Sequence, residues 1–190
     1  MPRFYAACLA SYNAGTLHGA WIDASNDVDA MQEEINAMLR ASPHPNVMVE
    51  DPETGAEVPS AEEYAIHDYD GLPSSLGEHP GLDVIAAYAE LLEAAEDRNI
   101  PGDVAAELVD GRSVGDIERA KDTIEDDYQG AFDSLADWAE NLEDETGSLS
   151  EVPERLQPYI DFAAIGRDAE LGGDIRAIRS GRSLYVFWNR

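Results

Sequence analysis

The chain has 190 residues, of which forty are Asp or Glu and twelve are Lys or Arg. Carboxylates therefore dominate its chemistry. Two converging carboxylates can act as general acid and base, and several can ligate calcium. Here they run in rows instead. Asp83, Glu90, Glu93 and Asp97 follow one another at spacings of seven, three and four. Asp133, Asp137, Glu140 and Asp144 repeat at four, three and four. Between them lie Glu118, Asp122 and Glu125, with Asp126 adjoining. On a helix each row lies along one side. Such a row presents a line of negative charge rather than a reaction centre.

Like charges three or four residues apart destabilise a helix by about 0.2–0.5 kcal/mol per pair. Ordinary surface helices alternate sign. From Asp122 through Glu154 there are twelve acids and no Lys or Arg. Were 122–145 one helix, its ten carboxylates would span roughly 36 Å at ~1.5 Å per residue. That spacing approaches the ~3.4 Å per phosphate of a DNA strand. Gln129–Gly130 is the expected break. Such a surface could fill a basic channel built for nucleic acid. Salt adaptation is the competing explanation, since halophilic proteins are rich in carboxylates and poor in Lys.

The charge is regional. Residues 41–154 hold thirty-one acids and four bases, whereas residues 155–190 hold four acids and six Arg. Salt adaptation would act on every exposed face, so this imbalance counts against it.

Catalytic and metal motifs are missing. The histidines at 18, 44, 67 and 79 form no helical pair with an intervening Glu, as a zinc protease requires. Asp68–Tyr69–Asp70–Gly71 resembles part of a calcium loop but lacks its remaining ligands. GRSVGDIERAK lacks the ending of a phosphate loop, and no Gly-x-Ser-x-Gly elbow occurs. The chain reads as a non-enzyme with no cofactor and no metal. A lone Cys8 fits a reducing, cytoplasmic setting, and no run of residues is apolar enough to span a membrane.

The elements that must carry the rows follow from periodicity. Residues 3–10 and 17–24 read as strands joined by a turn, and Asn26 or Asp27 can cap a helix over 28–40. A loop or hairpin follows, then a strand at 64–69. Helices are expected over 82–97, 101–110, 113–128, 132–145 and 158–171, and a final strand over 183–188. Leu82, Ile85, Ala89 and Leu92 would face inward from 82–97. Phe132, Leu135, Ala139 and Leu142 would do so from 132–145.

Four blocks carry a resemblance. YAACLASYNAGTLHGAWIDA (5–24), YAIHDYDG (64–71), DYQGAFDSLADWAENLEDETG (127–147) and LQPYIDFAAIGRDAELGGDI (156–175) are similar to ArdA-type antirestriction proteins. The resemblance implies an α+β fold that is elongated and acidic, with several small α+β and helical domains in a row. Divided accordingly, 1–70 would be an N-terminal α+β domain and 71–115 a central helical domain. Residues 116–190 would be a C-terminal α+β domain with a dimer interface. It also implies a protein of plasmids, transposons or phages. Such a DNA mimic binds the DNA-binding channel of the methyltransferase core of type I restriction–modification enzymes. It inhibits cleavage, and often modification, of DNA. Direct contact with nucleic acid or membrane is not implied. The twelve row carboxylates would stand in for phosphates, and Arg155, Arg167, Arg176, Arg179 and Arg182 would pair with carboxylates within the C-terminal domain or across its interface, or else be ordinary exposed residues. Two other readings stay open: a salt-adapted acidic protein-binding module, and an acidic chaperone of basic DNA-binding proteins.

Overall fold

A computed structural model describes all residues, 1–190. The fold is mixed α+β, with elements segregated rather than alternating. In chain order they are β1 (Arg3–Cys8), α1 (Leu9–Asn13), β2 (Gly19–Asp23), α2 (Val28–Arg40), β3 (Val47–Glu50), β4 (Glu57–Ser60) and β5 (Tyr64–Asp70). Then come α3 (Leu82–Asp97), α4 (Gly102–Glu107), α5 (Val114–Asp122), β6 (Tyr128–Phe132), α6 (Leu135–Glu145), α7 (Phe162–Gly172), β7 (Ile175–Ser180) and β8 (Ser183–Trp188). The chain divides into two compact units. One comprises Met1–Leu92 and Gly111–Ile117; the other comprises Glu93–Asp110 and Glu118–Arg190.

In the first unit an antiparallel sheet of order β2-β1-β5 packs one face on α2. Phe4 lies opposite Ile22, and Ala6 opposite Ile66, so alternation turns all four inward. Met31, Ile35, Met38 and Leu39 supply the helix side of that core. Asp27 starts α2 by accepting the Ala30 N–H at 2.9 Å, which satisfies one orphan donor. The β3–β4 hairpin is a separate two-stranded sheet beside α2.

In the second unit the order is β6-β8-β7, again antiparallel. Trp138 and Ala139 of α6 pack with Ile175, Leu184 and Val186 of the sheet, supported by Phe162, Ile165 and Ala169 of α7. The opposite face is buried too, at Ile178 and Phe187. A π-helical turn, Thr123–Asp127, approaches β8 and β6, and α4 lies along β7. Arg176 on β7 donates to Asp110 Oδ1 at 3.2 Å and to the Glu107 carbonyl at 2.5 Å. Ser180 donates to Asp103 at 2.8 Å. Residues 102–110 are thereby tied to a strand far along the chain.

Three expectations change here. The helix expected over 113–128 ends at Asp122 and runs into a π-helical turn, and the one expected over 132–145 begins at Leu135, because the whole of β6 intervenes between α5 and α6. The helix foreseen from Pro158 begins instead at Phe162, where Asp161 caps it by accepting the Ala164 N–H. Pro158 sits in a preceding 3-10 turn.

Candidate functional site

Three helices and the turns beside them carry the acidic rows. On α3, Leu82, Ile85, Tyr88, Leu91 and Ala95 are buried, leaving Asp83, Glu93 and Asp97 exposed. Glu90 is half-buried and already engaged in an interaction. Asp83 lies in the first turn, where a negative charge suits the helix dipole. The last turn of α3 has no basic residue, so Glu96 and Asp97 stand at the unfavourable end of the dipole, just ahead of Arg98. Asn99 then ends the segment in the left-handed region at φ 56°.

Ser113 and Asp116 cap α5 reciprocally. The Ser113 N–H and hydroxyl donate to Asp116 Oδ2 at 2.9 and 2.7 Å, and the Asp116 N–H donates to the Ser113 hydroxyl. Ile117 and Ala120 face the core, which sends Glu118 and Asp122 outward. Arg119 and Lys121 give this helix a basic last turn, and both have partners. The π turn exposes Glu125 and Asp126 but turns Asp127 in. Asp127 Oδ1 lies 3.2 Å from Arg190 Nε, misaligned for a hydrogen bond, so the buried oxygen is neutralised without one.

A second reciprocal cap starts α6. Ser134 accepts the Asp137 N–H, and its hydroxyl donates to Asp137 Oδ2 at 2.6 Å. Asp137 thus has a structural task as well as an exposed position. Asp133 precedes the helix; Glu140 and Asp144 are exposed along it. As on α3, no base lies in the last turn. Each acid at a helix C-terminus costs about 0.3–1 kcal/mol at low salt.

Eleven of the twelve row residues are therefore exposed, Glu90 being the exception. Asp83 and Glu90 belong to the first unit and the other ten to the second. Five arginines pair with carboxylates outside the rows: Arg3 with Asp70, Arg40 with Glu33, Arg167 with Asp168, Arg176 with Asp110 and Arg190 with Asp127. Arg167 reaches its exposed neighbour Asp168 at 3.4 Å, whereas Arg176 reaches Asp110, outside the expected C-terminal span of 116–190, at 3.2 Å. Glu96 and Glu145 are exposed acids that the rows omitted. Their helical position was readable, but each lies to the side of its row.

Other titratable groups do structural work. Burial pushes the Cys8 thiol up, but hydrogen bonds with Ser42 and Ser11 outweigh it and hold the thiol below its ordinary value. Burial pushes the Tyr69 phenol, which donates to the Gly77 carbonyl at 2.7 Å, up to about 12. His18 is half-buried, its Nε2 lying 2.8 Å from the Met38 carbonyl oxygen, whereas His67 is exposed, edge-on to Tyr12. No three His, Cys, Asp or Glu side chains converge as a metal site would require. No helix is long and apolar enough to cross a membrane.

No curated protein matches the chain. A family model described as antirestriction protein (ArdA) matches residues 4–183, nearly the whole length. It spans both folded units and every acidic row. The protein belongs to the ArdA family of antirestriction proteins.

Proposed function

We propose that this protein acts as a DNA mimic, filling the DNA-binding channel of a type I restriction–modification enzyme at its methyltransferase core. One observation carries the reading. The exposed acids of α3 and α6 crowd C-terminal turns that contain no base. A fold selected for stability alone would place Lys or Arg there. An array of unbalanced carboxylates has a use where a partner supplies the cations. Cleavage, and modification with it, would be blocked by occupancy alone, without catalysis or a cofactor. The row residues Asp83, Glu90, Glu93, Asp97, Glu118, Asp122, Glu125, Asp126, Asp133, Asp137, Glu140 and Asp144 would act as phosphate substitutes.

We also propose the three-part division at 70/71 and 115/116, with pairing of two copies through the C-terminal part. The charge balance of residues 155–190 supports this, because two strongly acidic ends would repel.

Competition with duplex DNA for a purified type I methyltransferase tests the function. DNA affinity falls by about 0.9 log unit per neutralised phosphate per decade of salt, through counterion release. A folded protein spreads its charge more thinly and condenses fewer counterions. Its affinity should therefore fall less steeply, so that it competes better as salt rises. A flat salt response would remove electrostatic mimicry as the mechanism.

A further inference from the structure

The outer face of the first sheet combines charge and aromatic surface in a way the helices do not. Strand register sets Arg3 opposite Asp23 and Asp70, and Tyr5 opposite Trp21 and Asp68. Alternation points these side chains away from Phe4 and Ile22, and hence away from α2. Trp21 is 41% exposed, while Trp138 is 2% exposed. The Tyr5 and Trp21 rings lie 5.6 Å apart, tilted by 58°. Gly19 makes room for them, since a Cβ there would fall 2.8 Å from the Tyr5 ring.

Arg3 shows what this face can hold. Its guanidinium carbon lies 4.9 Å from the centre of the Trp21 ring. Its Nε and Nη2 meet Asp70 Oδ2 at 3.0 and 2.9 Å. An indole face and a carboxylate therefore grip one guanidinium together. Asp23 and Asp68, both exposed, flank the arrangement and leave the patch negative after Arg3 has paired with Asp70.

We propose that this face is a docking site for an arginine side chain presented by a basic protein surface, with Arg3 filling the site when no partner is bound. Charge selects that occupant. A second copy of this chain would bring a further net charge of −28, and nucleic acids and anionic lipids would be repelled for the same reason. Shape selects arginine over lysine. A planar guanidinium stacks on an indole while its N–H groups reach a carboxylate, whereas an ammonium is a point charge. As a tethered occupant, Arg3 competes at high effective concentration and weakens the incoming side chain. The site lies on β1, β2 and β5, which carry none of the row carboxylates, so it stands or falls separately from phosphate mimicry.

The test uses the full chain, with tryptophan indole nitrogens labelled and the Trp21 signal assigned through Trp21→Phe. Hexa-arginine and hexalysine are titrated at equal ionic strength. Rows of carboxylates bind both peptides by charge; the aromatic site alone tells them apart. The Trp21 signal should report about two- to fivefold tighter binding of hexa-arginine, while the Trp138 and Trp188 signals stay in place. Arg3→Ala should tighten hexa-arginine further without matching gain for hexalysine. Asp68→Asn, a surface change that spares the core, should weaken the preference. An equal response of Trp21 to both peptides overturns the proposal, as does weaker hexa-arginine binding by Arg3→Ala.

Discussion

Helices α6 and α7 meet the same structural demands with different outer surfaces. Each has eleven residues, each is capped at its start by a Ser or Asp oxygen, and both pack on one core. They approach closely at Gly166, where a Cβ would come within 2.4 Å of the Leu135 carbonyl oxygen. Outward, α6 shows Asp137, Glu140, Asp144 and Glu145 with no base. By contrast, α7 shows Arg167 beside Asp168 and exposes Leu171. Asp137 caps the start of α6, but the fold does not require Glu140, Asp144 and Glu145. These three are an addition to a helix that would pack without them, and Asp144 and Glu145 oppose its dipole.

The comparison can be broken most forcefully at the shared contact. Gly166→Val should push α7 off α6 and cost about 3 kcal/mol, the upper end for overpacking; a thermal melt of the full chain reads it. An unchanged melting temperature would mean that the two helices are not held so tightly.

Next in size is the charge itself. Changing Asp133, Asp137 and Asp144 to Asn and Glu140 to Gln should weaken binding to a type I methyltransferase by about 1 kcal/mol, at a few tenths per exposed contact. The matching change on α7, Asp168→Asn with Glu170→Gln, should alter affinity by less than about twofold on the same scale. Similar losses from both sets would deny α6 a special role.

Removing the caps should treat the two helices alike. Ser134→Ala and Asp161→Ala should each lower stability by about 1 kcal/mol, measured by denaturant unfolding. Only the former should alter inhibition, because it also frees the carboxylate of Asp137.

The smallest effect lies in the sheet beneath both helices. Burial, with the nearby Tyr185 second, raises the pKa of Tyr128 above its ordinary value of 10.0. The folded state then holds that proton more tightly than the unfolded chain does. Its contribution should be complete below about pH 10 and lost as pH rises further. Melts across that range, with phenolate absorbance, should show α6 and α7 losing stability together.

What could be read from sequence depended on how each element is covered. The limits of α2 and α3 were legible because each has a polar side, and α2 has a capping Asp. The outward rows followed from the same periodicity. Tyr88 and Leu91 escaped the expected inner face of α3 because that helix is buried over a wider arc than one apolar stripe. Strand β7 was missed for a related reason. Ile175 and Ile178 are buried on opposite faces of a sheet covered on both sides, so period-two alternation is absent. Strand β6 was hidden by Gly130, at φ 133° beside a register shift. Pairing with β8 supplies what its own residues lack. The inward turn of Asp127 and the grip of Trp21 on Arg3 rest on contacts between distant segments, which helical spacing does not encode.

The order in which the chain visits its two units limits how the protein can be cut or built. It completes most of the first unit by Leu92, contributes 93–110 to the second, returns for 111–117 and then finishes the second. No single cleavage point yields both units whole. A fragment ending near residue 92 lacks the return segment, and one starting at 118 lacks the stretch that Arg176 and Ser180 hold. During synthesis the first unit cannot close until part of the second has already emerged. Partial proteolysis should accordingly give all-or-none loss rather than a stable half.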